Sequence, residues 1–224
     1  MRQRTLRYTL LLLSSLLLCL PSLAQTDTIP SKESRLRGLS LSADVFGLVG
    51  GLFGNDFQSM EVAAELHLHN KLYPVVEVGY GTTDTTDDDK DIHYKVSAPY
   101  FRVGLNYNFF HKKETQSIIF GGLRVGYSTF SFDVDAPALT DPVWGGSVPF
   151  EYKGVKSNAA WAELVVGLRT PIAKNFHMGW SVRYKRRLSV KEDPNAEPWY
   201  VPGYGENRAI LFGATYNFIY YLPW

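Results

Sequence analysis

The segment "YFRVGLNYNFF", Tyr100 to Phe110, alternates without a break. Phe101, Val103, Leu105, Tyr107 and Phe109 fall on one side; Arg102, Gly104, Asn106 and Asn108 fall on the other. Successive side chains of a pleated chain leave on opposite faces, so this period of two predicts a β-strand. It leaves open which face meets water. In a soluble protein the aromatic face is the core. In a membrane barrel the aromatics face lipid and Arg102 faces an enclosed polar interior.

The same pattern recurs about eight times along the chain. "LSLSADVFG" sets Leu39, Leu41, Ala43 and Val45 against Ser40, Ser42 and Asp44, and "SMEVAAELHLH" sets Met60, Val62, Ala64, Leu66 and Leu68 against Glu61, Glu65, His67 and His69. Glu77, Arg124, Glu163, Arg169, Arg183 and Lys185 take the polar positions of "VVEVGYG", "IFGGLRVGYSTF", "AAWAELVVGLR" and "FHMGWSVRYKR". The last run, "AILFGATYNFIYYLPW", sets Ile210, Phe212, Ala214, Tyr216, Phe218, Tyr220, Leu222 and Trp224 against Gly213, Thr215 and Asn217. No stretch has a helical period.

The polar face therefore collects Asp44, Glu61, Glu65, Glu77 and Glu163 with Arg102, Arg124, Arg169, Arg183 and Lys185. Acids dominate the early strands and bases the later ones. If the sheet closes, the two groups face each other across its interior. Unpaired charges there would cost several kcal/mol each, so a closed barrel requires them to be paired, hydrogen-bonded or hydrated. The opposite face carries almost no charge and places Tyr80, Tyr107, Tyr127, Tyr184, Tyr216, Tyr220 and Trp224 near strand ends. An apolar ring with a polar tip suits a membrane–water interface.

The connections sort by length. Asn70 to Pro74, His111 to Gln116 and Pro171 to Asn175 are short; Gly47 to Gln58, Thr82 to Ala98, Ser131 to Ser157 and Ser189 to Asn207 are long. In an up-and-down sheet alternate connections lie at opposite ends, so one end has tight turns and the other every long loop. This is the outer-membrane arrangement. A soluble lipocalin-like barrel, with the aromatics inward, is the competing reading, and nothing in it requires such sorting.

The first residues have the secretory pattern: basic Arg2, Arg4 and Arg7, apolar Leu10 to Leu20, and small residues ending at Ala24. We expect a signal peptide over residues 1–24, cleaved after Ala24, a flexible segment over 25–37, and one barrel domain over 38–224. The single cysteine, Cys19, lies in the leader, where a lipoprotein signal would want a smaller neighbour than Leu18. The mature chain then has no disulfide and no thiol ligand or nucleophile. With 23 Lys+Arg against 22 Asp+Glu, a nucleic-acid partner is not expected.

The terminal "TYNFIYYLPW" resembles the C-terminal sorting signal of bacterial outer-membrane barrels, although Pro223 departs from the pattern and removes a ladder donor. Over the mature chain the protein resembles small eight-stranded outer-membrane β-barrels of the OmpA/OmpX/OmpW type, and within them a domain-of-unknown-function family. The resemblance implies an all-β, eight-stranded antiparallel up-and-down transmembrane barrel in the outer membrane of a diderm bacterium. It implies outer-membrane lipid and the barrel assembly machinery as partners. On this assignment Arg102 faces inward.

No residue set demands catalysis, a metal or another cofactor. His67 and His69 share a face with Glu65 near a short turn, and His177 begins another inward face, which admits a small metal site or simple polar filling. His177 and Ser181 are about 13 Å apart on one strand, too far for a base to reach a nucleophile. The acidic "TTDTTDDDKD" lacks the spacing of a calcium loop. Trp144, Phe150, Trp199, Tyr200 and Tyr204 in the long connections form either a contact surface or a lid over the barrel mouth. About eight strands leave an interior that side chains fill, which disfavours a pore. The expected role is structural or interactive, through the external loops. A carrier or narrow channel for small hydrophobic molecules and a lipid A-modifying enzyme are the alternatives.

Overall fold

Alternation on this scale closes on itself. The computed structural model describes residues 36–45, 47, 57–87, 91–112, 117–140, 147–191, 193–194 and 196–222. The expected signal peptide and most of the N-terminal segment lie outside these residues, as do Trp144 and Trp224. Ten strands follow in order: β1 (Leu36–Asp44), β2 (Phe57–Leu68), β3 (Leu72–Asp87), β4 (Ile92–Asn108), β5 (Ile118–Thr140), β6 (Ser147–Ala173), β7 (Phe176–Val190), β8 (Tyr200–Val201), β9 (Gly205–Glu206) and β10 (Ile210–Tyr221). Strands β1 to β7 and β10 form a closed antiparallel barrel, with β1 sealing against β10; β8 and β9 make a separate two-stranded ribbon. Each barrel strand pairs with its sequence neighbours, an up-and-down meander.

The turns at one end are tight. His69 and Asn70 take left-handed conformations, φ 50 and 55, to reverse the chain between β2 and β3. Asparagine tolerates that region better than most residues. Tyr73 reaches back to hold the turn, its hydroxyl donating to Asn70 Oδ1 at 2.6 Å.

At the other end the strands outrun the expected loops. Thr82 to Ala98 and Ser131 to Ser157 read as long connections, yet β3 and β4 pair as far as Asp87↔Ile92, and β5 and β6 as far as Thr140↔Ser147. For β5 and β6 the sequence itself predicts a projecting hairpin, because "SFDVD" and "VPFEYKG" retain the alternation and keep one face packable after the membrane pattern has ended.

Along these long strands the two faces exchange character. On β4 the inward residues run Tyr94, Val96, Ala98 and Tyr100, then Arg102, Asn106 and Asn108, all buried. The outward ones run Lys95, Ser97 and Pro99, then Phe101, Val103, Leu105 and Tyr107. A single strand is thus polar outside and apolar inside at its outer end, and the reverse below. β5 repeats the switch, with Phe130, Phe132 and Val134 inward above Arg124. Below the switch the outer surface is an apolar belt, where Leu123 is 63% exposed and Val166 60%. Above it lies an ordinary water-facing protein with an aromatic core of Tyr94, Tyr100, Phe130, Phe132, Trp161 and Tyr204.

Candidate functional site

The inward polar positions converge on two ion-pair clusters. In the larger, Arg102 from β4 and Arg183 from β7 lie between Glu61 of β2, Glu77 of β3 and Glu163 of β6. Arg183 Nη1 donates to Glu77 Oε2 at 2.8 Å and to Glu163 Oε2 at 3.3 Å, and its Nη2 donates to Glu61 Oε1 at 3.1 Å. Arg102 Nη1 contacts Glu61 and lies 3.1 Å from Glu77 Oε2, while its Nε is 2.9 Å from Glu163 Oε1. Arg124 of β5 adds an Nε donation to Glu77 Oε1 at 3.0 Å. Two uncharged groups complete the carboxylates: Tyr100 donates to Glu61 Oε2 at 2.9 Å and Trp161 Nε1 to Glu163 Oε1 at 2.7 Å. Sharing every carboxylate among several donors is what permits such burial, because a lone buried charge would be far more costly than a paired one.

The smaller cluster lies toward the tight-turn end. Arg169 of β6 grips Glu65 of β2 through both terminal nitrogens, the Nη2–Oε2 contact being 2.7 Å, and Asn106 Nδ2 donates to Glu65 Oε2 at 2.6 Å. The Arg169 guanidinium also stacks over Phe120, 4.6 Å from the ring centre. Below it, His67 and His177 flank Tyr221 at ring separations of 4.8 and 4.1 Å. His69, expected beside His67, instead occupies the turn and is exposed. Its backbone reversal takes it off the inward face. Among the described residues no group of three or more His, Cys, Asp or Glu side chains is placed to hold a metal ion.

Ser40, His67 and Glu65 look like a nucleophile, base and orienting acid, but their geometry differs from that of a relay. Ser40 Oγ lies 3.0 Å from His67 Nε2, and Glu65 Oε1 lies 3.5 Å from that same nitrogen. A triad needs the acid on the other ring nitrogen. Between the clusters lies a cavity of about 40 Å³, room for a water or so.

Asp44 is buried and accepts the Tyr216 backbone N–H at 3.2 Å, outside the two clusters. Lys185 behaves differently again. Its Nζ donates to the carbonyls of Gly203 at 3.1 Å and Tyr204 at 2.9 Å, and Arg102 Nη2 donates to the Gly203 carbonyl at 2.6 Å. These carbonyls belong to the connection between β7 and β10, which dips into the mouth with Val201, Tyr204 and the intervening residues buried. The two alternatives for the loop aromatics separate accordingly. Trp199 stacks on Tyr94 at 5.4 Å, Tyr200 lies over Phe57 at 6.4 Å and Tyr204 packs on Trp161 at 5.8 Å. They cap the barrel; Phe150, near the tip of the β5–β6 hairpin, is exposed.

The anticipated interface aromatics stand on the outward face. Tyr127 packs on Phe101 at 5.7 Å, Tyr184 on Phe212 at 5.5 Å, Tyr220 on Phe176 at 4.9 Å and Tyr216 on Phe218 at 6.0 Å. Tyr107 packs between Phe109 and His111, and Tyr80 is exposed. The sequence reading missed Tyr100, Asn106 and Trp161 as members of the clusters, although all three share the inward parity. It also missed the Gly203 carbonyl, which no side-chain pattern can reveal.

Closed eight-stranded topology, an apolar outer belt and a charge-filled interior define the outer-membrane β-barrel class. A major outer membrane protein from Thermus thermophilus is similar in fold, at 10% identity and a TM-score of 0.51, over 83% of this chain and 100% of that one. Neisserial surface protein A aligns at 14% identity and a TM-score of 0.43, over 84% and 97% of the two chains. No curated protein matches the sequence. The chain belongs to the DUF6048 family, a domain of unknown function, whose family model matches residues 4–224.

Proposed function

We propose that this chain is an integral outer-membrane protein with a structural or surface-interaction role, presenting the water-facing hairpins β3–β4 and β5–β6 to the exterior. The observation that carries this reading is the exchange of faces along β4 and β5. An apolar belt outside a polar interior, ending where the outer surface turns polar, matches a bilayer boundary. Export through a signal peptide cleaved after Ala24 and assembly through the C-terminal strand belong to the same reading. So does the absence of catalysis, which the placement of Ser40 and Glu65 on one histidine nitrogen supports.

Fractionation followed by electrophoresis of boiled and unboiled detergent extracts tests it. Recovery with the outer membrane and a mobility shift on heating are the expected results. A soluble periplasmic protein without a shift would overturn the assignment of faces. Deleting Trp224 is expected to lower the amount reaching the outer membrane.

The alternative of a carrier for small hydrophobic molecules is favoured by one feature, a large cavity at the outer end of the barrel.

A further inference from the structure

The two ends of the barrel differ in the sign of their exposed charge. At the tight-turn end Lys71, between β2 and β3, Lys112, after β4, and Lys174, between β6 and β7, are all exposed. No described residue at that end is an exposed carboxylate; Glu65 there is buried. The rest of the β4–β5 connection, outside the described residues, adds Lys113 and Glu114, one charge of each sign. The opposite end carries Asp84, Asp87 and Asp91 on the β3–β4 hairpin and Asp133 and Asp135 on β5.

Lys71 is seated rather than loose. Asn108, 2% exposed, ties two neighbouring turns together. Its N–H donates to the Lys71 carbonyl at 2.9 Å and its Nδ2 to the Asn70 carbonyl at 3.0 Å. Its own carbonyl accepts from His111 Nδ1 at 3.0 Å, and its Oδ1 accepts from the Phe110 N–H at 2.9 Å. The turns so held bring Lys71 and His111 to one ring. Lys71 Nζ lies 5.7 Å from the centre of Tyr107, a cation–π distance, and His111 packs edge-on at 5.5 Å. Tyr107 faces outward, paired with Leu72 in the ladder and packed beside Phe109, which is 55% exposed. An ammonium on an aliphatic stem, set over an interface aromatic at the rim of an apolar belt, stands at headgroup depth.

The turn lengths decide what these cations can touch. β2 ends at Leu68 and β3 begins at Leu72; β6 ends at Ala173 and β7 begins at Phe176. Lys71 and Lys174 are each one residue from a strand, about 3 Å along the chain. These two turns do not project toward a partner beyond the membrane surface.

We propose that the tight-turn rim binds the phosphate headgroups of anionic phospholipids in the periplasmic leaflet. Lys71 over Tyr107 is the principal contact, and Lys112 and Lys174 flank it. The acyl chains lie along Leu105 and Phe109 of the belt. This rests on the outer-membrane reading above, which puts the tight turns on the periplasmic side.

The test uses the full mature protein in detergent, with its heat-dependent mobility verified first, and native mass spectrometry of retained lipid. Phosphatidylglycerol and phosphatidylcholine with identical chains are titrated against it. Phosphatidylglycerol is expected to bind about tenfold tighter or more, since each surface cation is worth roughly fivefold toward an anionic headgroup. K71Q should lower that preference about fivefold, and K71R should keep it. K156Q, which removes an exposed lysine from the outer part of β6, should leave it unchanged. Equal affinity for the two lipids, equal losses in K71Q and K156Q, or a loss in K71R as large as in K71Q overturns the proposal while the heat-modifiable barrel stands. Displacement of phosphatidylglycerol by millimolar inorganic phosphate also overturns it, because the cations would then belong to free phosphate. A protein without heat-dependent mobility instead removes the outer-membrane reading, and this inference falls with it.

Discussion

Glu77 accepts from three arginines, Arg102, Arg124 and Arg183, so its loss has the widest local effect of any single carboxylate in the barrel. Glu77→Ala would leave three buried guanidinium groups short of an acceptor, and breaking a buried pair in this way costs about 3–5 kcal/mol. Expected is a clear drop in the temperature at which the folded electrophoretic band converts to the unfolded one. At the water-facing tip the scale is different. Asp84 is held below its ordinary value of 3.8 chiefly by its hydrogen bond to Lys95, at 2.9 Å. A depressed carboxyl contributes fully above its unfolded value and is lost as pH falls through the lower folded one. The tip of the β3–β4 hairpin should therefore keep this contact down to about pH 4 and lose it below. NMR titration of the Lys95 ammonium would follow it, and D84N should flatten the titration. Both side chains are half exposed, so salt should weaken the contact.

The connection between β7 and β10 is the element whose role the sequence disclosed least. Its aromatics were visible, but contact surface and lid were equally compatible with "EDPNAEPWYVPGYGE", because burial depends on partners from β4 and β6. Gly203 fixes the docking. It takes φ +80, and a Cβ there would lie 2.4 Å from the Tyr100 ring. Gly203→Val is expected to expel the loop while leaving the barrel closed. Faster proteolysis between β7 and β10 together with unchanged heat-dependent mobility would show this; an unchanged digestion pattern would contradict it. The barrel strands β1 to β7 were legible because each inward parity contains a charge. The β5–β6 extension was legible too, from the alternation kept in "SFDVD" and "VPFEYKG", but which of its faces is buried was not, since there the same parity turns apolar and the rule used to assign faces changes sign.

At the scale of the molecule, two layers of ion pairs span the interior. Reconstituted in planar bilayers, the protein is expected to give no steady single-channel conductance, because the ion pairs of Arg102, Arg183 and Arg169 cross the lumen from strand to strand. A stable ohmic step would contradict this. The fold class and strand number were readable from alternation. The order of the charges along the chain has a further meaning. Inward carboxylates alone come from β1, β2 and β3, inward arginines alone from β4, β5 and β7, and only β6 brings both. Arg183 meets Glu61 across 122 positions and Arg169 meets Glu65 across 104. The first three strands therefore carry a debt of negative charge that stands until the later strands arrive. A half-built sheet would hold unpaired carboxylates in lipid, so the chain is expected to enter the membrane as a complete circle.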